Sequence, residues 1–488
     1  MLSNEARFLD ARVPVPLLAT IPLGNLVPVD AYAVVRTPSS FLLESGSRAG
    51  RGALGRYSFI GGSPYEILTA QHGALTRWTS PSGKTTTTPA TDSLAAAFNR
   101  IPGTAVDAPP GAPPFIGGVV GCLGYGLSQR HRRGGPCEHD VYFPDLQWMF
   151  FDLVGAFDHV ERTFTASFCP SPERFAAEPR ARLLEEGRAR LSDFLASVTR
   201  SLAKNAEPAS RTAPEASIVP GMSREAYCAM VERAKAYIAA GDIFQANLAQ
   251  RFTATYHGSD GLDVYRRLRA INPAPFAAFV DLGETEVICS SPERLVKVSG
   301  REVETRPIAG TRPRGATAAD DEDLTADLLL NPKERAEHLM LVDLERNDLG
   351  RVCAYGSVKV DELMVTERYS HVIHIVSNIR GLLREGATGL DVLDAVFPGG
   401  TVTGVPKIRC MEIIDELEPV SRGLYTGSIG YVSWSGHMDW NIVIRTLTRS
   451  RSELSFYTGA GIVADSDPDK EYRETLYKAQ ALIDAVNY

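Results

Sequence analysis

From Ser223 to the C-terminus the chain moves repeatedly between helical and strand-like periodicity without settling into a regular strand–helix–strand alternation. That disfavours a doubly wound parallel sheet and predicts an α+β fold. Ser223-Arg-Glu-Ala-Tyr-Cys-Ala-Met-Val-Glu-Arg-Ala-Lys-Ala-Tyr-Ile reads as an amphipathic helix with a serine N-cap. Apolar runs at 276–280, 286–289 and 295–298 read as strands. Upstream, the first ~110 residues alternate short apolar runs with Gly, Ser, Pro and Thr, a pattern of strands joined by turns. The glycine-dense run 115–125 predicts close backbone approach. Residues 172–204 have helical spacing, and Asn205–Pro220 is rich in Ala, Pro, Ser and Thr. The expected division is therefore a region 1–204, a linker 205–222 and a region 223–488.

With 488 residues, 44% of them apolar, the chain can bury a large core. A formal charge of −8 argues against nucleic acid or an anionic membrane as partner. It leaves room for an anionic small substrate, because a metal ion and a few arginines set the local field. Seven cysteines without a CxxC pair predict reduced thiols rather than disulfides or a zinc ribbon. No basic, apolar leader opens the sequence, and no run reaches the ~18–20 apolar residues of a membrane span. The expectation is a soluble cytoplasmic protein.

Chemistry concentrates in two Glu-x-x-Glu pairs. In Asn331-Pro-Lys-Glu334-Arg-Ala-Glu337, Asn331 suits an N-cap and Pro332 the first helical position. The spacing puts Glu334 and Glu337 on one helix face. Asp467-Pro-Asp-Lys-Glu471-Tyr-Arg-Glu474 repeats the arrangement. Carboxylate oxygens of this kind suit Mg²⁺, although such pairs are also ordinary on solvated helices. Gly399-Gly-Thr-Val-Thr-Gly404-Val-Pro-Lys407 lacks the Lys-Ser/Thr ending of a P-loop, and Gly459-Ala460-Gly461 does not open a helix. Both clusters suit backbone approach to an anion, with Lys407 and Arg445 balancing its charge; tight turns are the plainer reading. His374 lies in an apolar run and Glu293 near a strand end. Each fits an acid/base role, a core histidine or a turn cap.

Taken together these segments resemble the chorismate-utilising enzymes: anthranilate synthase component I, aminodeoxychorismate synthase component I, isochorismate synthase and salicylate synthase. The matching motifs are Gly241-Asp-Ile-Phe-Gln245, Ser291-Pro-Glu293, Pro307-Ile-Ala-Gly310-Thr311, Ala336-Glu337-His-Leu-Met-Leu-Val-Asp, Phe397-Pro-Gly-Gly-Thr-Val-Thr-Gly, Tyr425-Thr-Gly-Ser-Ile-Gly-Tyr and Gly459-Ala-Gly461. The resemblance implies an anthranilate-synthase-like α/β sandwich of two large antiparallel sheets packed face to face, with flanking helices; both regions would then share one sandwich. It implies Mg²⁺ held by Glu337 and Glu474, helped by Glu334 and Glu471. It implies chorismate held by Gly310, Thr311, Tyr425, Arg445, Gly459, Ala460 and Gly461, and acid/base work by Glu293 and His374. Hydrolytic relatives carry a lysine where this chain has Gln245, and an uncharged amide cannot activate water. Ammonia is therefore the expected nucleophile, and a separate glutamine amidotransferase subunit is its expected source.

The branch follows from conflicting segments. Ala309 matches anthranilate synthases, because aminodeoxychorismate synthases often carry lysine there. Phe244-Gln-Ala-Asn-Leu-Ala-Gln-Arg-Phe, Asn272-Pro-Ala-Pro-Phe and Met438-Asp-Trp-Asn-Ile-Val-Ile-Arg445 match the aminodeoxychorismate branch. The leading expectation is 4-amino-4-deoxychorismate formation, with anthranilate synthase as alternative and a non-catalytic binding scaffold as the third reading. Leu42-Leu43-Glu44-Ser45 and Arg56-Tyr-Ser-Phe-Ile60 resemble the segments of a tryptophan pocket; plain sheet core is the competing reading.

Overall fold

The computed structural model describes residues 2–46, 55–89, 93–101, 106–127, 143–203, 216–258, 260–315, 317–368 and 372–487. Most of the expected linker, together with Cys137, lies outside the described residues. Two antiparallel sheets, of thirteen and twelve strands, make up the body. In the first, strands Ser40–Glu44 and Phe276–Asp281 are neighbours, with Leu43 opposite Ala278. In the second, Gly118–Leu123 pairs with Ser428–Ser433, with Cys122 opposite Ile429. Each sheet is thus half N-terminal and half C-terminal strands, joined at one ladder.

The inner faces meet in an apolar layer that includes Phe41, Phe59, Val154, Ala278 and Cys289 from one sheet and Val120, Met149, Phe151 and Tyr431 from the other. Helices cover both outer faces. Arg180–Arg200, Gly261–Ile271 and Pro468–Asn487 pack on the first sheet, and Pro332–Gly350 and Gly389–Val396 on the second. Such an aligned sandwich with alternating in–out strands is what face-to-face antiparallel sheets produce.

The expected strands occur at Phe276–Asp281, Thr285–Ser291 and Arg294–Ser299, and the 115–125 run contributes a fully buried strand. The 172–204 stretch forms two helices, Pro172–Ala177 and Arg180–Arg200. The break falls at Pro179, which has no amide hydrogen to continue the first helix. The first ~110 residues are not all strand: Glu5–Asp10, Pro28–Val35 and Ser93–Phe98 are helices. In Pro28–Val35 the proline opens a helix rather than marking a turn, and Val29 and Tyr32, three apart, go into the core. The six described cysteines are free thiols, and among the described residues no helix is long and apolar enough to cross a membrane.

Candidate active site

The site is built where the strands Gln245–Thr255 and Glu453–Ile462 of one sheet meet Ile308–Pro313 and Val372–Leu382 of the other. Helix Pro332–Gly350 begins as its sequence predicts: the Asn331 side chain accepts the Glu334 amide at 3.2 Å. Its first turn presents Glu334 to Arg312, 3.1 Å away, and Glu337 to the Gln245 side-chain amide, 2.8 Å away. Helix Pro468–Asn487 starts on Asp467, whose carboxylate accepts the Lys470 amide at 3.0 Å. Glu471 is buried at the base of this helix. Glu474 is paired with Lys478 at 2.7 Å, and Lys478 also donates to the Gly459 carbonyl at 2.9 Å.

Among the described residues no three acidic, histidine or cysteine side chains close on one point. The four glutamates therefore do not form a ready cage: Glu334 is engaged by an arginine, Glu474 by Lys478, and Glu471 is buried. Glu337 lies beside the glycine strand, its Oε1 3.5 Å from where a Cβ on Gly461 would stand, and Glu474 is tied to the same strand through Lys478. Since Mg²⁺ commonly takes only one or two protein carboxylates, with water and an anionic ligand completing six positions, that pair fits the ion.

Gly310 sits at a bulge, where two residues of its strand oppose one of the neighbour between Ala309↔Ile375 and Thr311↔His374. Its φ of +69° and the Glu334 oxygen, 2.9 Å from where a Cβ would stand, explain why glycine occupies the position. The Thr311 side chain lies outside the described residues. The bulge brings the Gly310 carbonyl to 3.4 Å from His374 Nδ1. Burial pulls the His374 pKa down to about 4, only partly countered by that carbonyl and helped by the Arg445 charge, so the imidazole is neutral near pH 7.

Arg445 has left-handed backbone, φ 51°, and its carbonyl is fixed by the Ser290 amide at 3.1 Å. Among the described residues its guanidinium makes no hydrogen bond or salt bridge; desolvation pulls its pKa down, against the more distant Tyr425, Tyr477 and Glu474. Tyr425, its neighbour, is stacked on Tyr457 at 5.3 Å and has its phenol pushed up to about 12 by burial. Arg422, which drew no attention in the sequence, lies 5.6 Å over the Tyr425 ring; it is almost fully buried, pairs with Glu418 at 2.6 Å and donates to the Asn247 carbonyl at 2.6 Å.

Beneath the bulge lies an acidic group only partly foreseen. Glu293 is buried, and burial raises its pKa to about 7 despite the neighbouring Thr401 hydroxyl and Ile308 amide. Glu345, bonded to the Thr305 hydroxyl, is pushed well above the carboxylate range, first by burial and then by Glu293 and Asp348. The signal for it was present: Glu334, Glu337, Glu345 and Asp348 share one helical stripe. Lys407 corrects an expectation. Its ammonium is held by Asp348 at 2.6 Å and the Val396 carbonyl at 3.0 Å, so it neutralises this buried stripe rather than reaching an anion. The loop before it returns as Gly404–Val405, a short strand pairing with Gln245 and Ala246.

A cavity of about 350 Å³ lies away from these residues, on the ladder joining the two regions, lined among others by Leu43, Glu44, Ser45, Arg56, Tyr57, Ala277, Arg294 and Tyr431. Glu44 there is tied to Arg269 at 2.7 Å and to the Tyr265 hydroxyl at 2.7 Å, while the buried Ser45 hydroxyl has no partner among the described residues.

The match to known proteins is extensive. The family model described as "chorismate binding enzyme" covers residues 44–484. Anthranilate synthase component 1 of Thermus thermophilus is 42% identical over 464 residues, 94% of this chain and 95% of that protein. Aminodeoxychorismate synthase component 1 of Bacillus subtilis is 42% identical over 372 residues, 76% of this chain and 77% of that protein. The crystal structure of anthranilate synthase component I from Streptococcus pneumoniae superposes with a TM-score of 0.76 at 31% identity, covering 95% of this chain and 99% of that one. By the family model over residues 44–484 and relatives 42% identical over most of its length, the chain is a member of the chorismate-binding enzyme family.

Proposed function

We propose that this chain aminates chorismate with ammonia supplied by a separate glutamine amidotransferase subunit, giving 4-amino-4-deoxychorismate. The observation that carries the reading is Arg445: a desolvated guanidinium that no carboxylate among the described residues contacts takes one from a ligand, and chorismate brings two carboxylates. Tyr425 and the strand of Gly459, Ala460 and Gly461 form the wall beside it. Glu337 and Glu474 would hold Mg²⁺, which when bound supplies a Lewis acid that draws electron density out of the ring carboxylate and diene.

Glu293 does the proton work. Departure of the 4-hydroxyl requires a donor, and a carboxyl whose pKa sits near 7 is protonated often enough to supply one while remaining a strong acid for the step. Nitrogen attack on the ring and loss of water then balance the reaction: chorismate plus ammonia gives the amino compound plus water. Neutral His374, its Nδ1–H directed at the Gly310 carbonyl, presents Nε2 as a hydrogen-bond acceptor and adds no charge to the site. Gln245, bonded to Glu337, contributes no base, which supports ammonia over water as the nucleophile.

Ala309 favours a second reading, anthranilate formation with release of pyruvate, because no amine stands at that buried position to add to the ring first. Purified chain with chorismate, Mg²⁺ and ammonium separates the two by product mass. A product retaining its enolpyruvyl group supports the first; pyruvate with blue-fluorescent anthranilate replaces it by the second. We also propose tryptophan as occupant of the cavity at Leu43, Glu44 and Ser45, whose volume and mixed apolar and charged lining suit an amphoteric aromatic ligand.

A further inference from the structure

Asn247 lies two residues beyond Gln245 on one strand, so their side chains leave the same face. Gln245 donates through Nε2 to Glu337, a carboxylate that can only accept, and this fixes the amide with Oε1 turned away. Both Gln245 Oε1 and Asn247 Oδ1 are buried acceptors without a hydrogen-bond donor among the described residues. Opposite them on the next strand stand two glycines: Asn247 faces Gly461, and Ala249 faces Gly459. A Cβ on Gly459 would come within 2.7 Å of Asn247 Oδ1 and 3.0 Å of the Tyr425 hydroxyl; one on Gly461 would come within 2.6 Å of Gln245 Nε2. Glycine at both positions lets the two amides close onto this strand, with Glu337 beside Gly461 and the Tyr425 hydroxyl beside Gly459.

Two buried acceptors that nothing serves require a donor-rich ligand. The carboxylates of chorismate accept only and are repelled there. Ammonia carries three N–H groups and a lone pair, so two N–H bonds to the amides leave the lone pair free. Water could make the same two bonds, but neither amide can take its proton, whereas neutral ammonia is nucleophilic as it stands. We infer that Gln245 Oε1 and Asn247 Oδ1 form the seat of the nitrogen nucleophile, with Asn247 setting the affinity for ammonia. The inference rests on the amination reading above and adds the residues that hold the nucleophile.

The test uses the full chain with saturating chorismate, Mg²⁺ and ammonium chloride as the nitrogen source. Asn247→Leu, similar in size but without the acceptor, raises the KM for ammonium roughly tenfold, the loss expected for one hydrogen bond, while the KM for chorismate stays close to the parent value. Asn247→Asp, which keeps an acceptor oxygen in place, retains an ammonium KM near the parent value. If Asn247→Leu does not fold, Gln245→Met removes the neighbouring acceptor and carries the same expectation. An unchanged ammonium KM in the folded variant, or a rise confined to the chorismate KM, overturns the seat and assigns these oxygens to the ring substrate. A parent chain that consumes chorismate with no dependence on ammonium overturns the amination reading itself, and the seat with it.

Discussion

Arg294, buried, and Arg445, half-buried, are both arginines set into the protein, and the chain treats them oppositely. Arg294, on the rim of the cavity between the regions, is held by Asp439 at 2.9 Å and Glu304 at 2.8 Å, and its guanidinium lies 5.0 Å over the Phe276 ring. Arg445, in the candidate site, is given a left-handed backbone and no counter-ion in contact among the described residues. The first arrangement closes its own charge balance and serves the fold. The second leaves a balance for a ligand to close. A buried cation is therefore informative here by its partners rather than by its burial.

That contrast can be broken most directly at the two arginines. Arg445→Leu should lower kcat/KM for chorismate by roughly 10²–10³-fold, the loss of a charge-assisted grip on a carboxylate, without lowering the melting temperature. Arg294→Met should do the reverse, destabilising the chain by about 2–3 kcal/mol in a urea titration because Asp439 loses its cation while Glu304 keeps Lys297 at 3.3 Å; both carboxylates are about one-fifth exposed, which keeps the cost below that of a fully buried pair. Loss of stability in Arg445→Leu, with catalysis kept, would erase the distinction.

Next in size is the acid. Glu293→Gln should reduce kcat by about 10²–10⁴-fold and remove the descending limb of the pH–rate profile near pH 7. The sign follows from the raised folded pKa: Glu293 is a donor below about 7 and is lost as one above it. The same shift makes its contribution to stability full below the unfolded value of 4.5 and lost as pH rises through about 7. His374→Gln should leave that limb in place, because His374 with a pKa near 4 does not titrate there.

A smaller effect sharpens the metal reading. Glu337→Gln should raise the Mg²⁺ concentration needed for half-maximal rate more than Glu334→Gln does, since Glu334 is already engaged by Arg312. Smallest for catalysis is Lys407→Met, which should lower the denaturation midpoint by stranding Asp348 while changing the KM for chorismate little. A large KM change there would restore Lys407 to the anion site.

Much of this was legible residue by residue. Asn331-Pro332 and Asp467-Pro468 announced both acidic helices because capping is a local matter of one side chain and one or two amides. Ser223 likewise accepts the Ala226 amide at 3.2 Å. The motifs led to the family through order and identity rather than geometry. What stayed hidden was long-range partnership. Lys407 beside a glycine loop looks like an anion ligand until Asp348, a turn and a helix away in space, is seen to hold it. Asn247 carried only an alternation with Gln245, whose meaning depends on the glycines of another strand. Arg422 gave no signal, since nothing local tells a buried arginine from a surface one.

The interleaving of early and late strands in both sheets has a consequence for how the molecule is made. Neither half can finish a sheet alone, so on the ribosome the first strands must wait for partners more than two hundred residues downstream, a topology expected to assemble slowly. Fragments cut between the regions should stay incomplete apart and regain activity when mixed, and a small molecule lodged at the shared ladder would act as mortar between them.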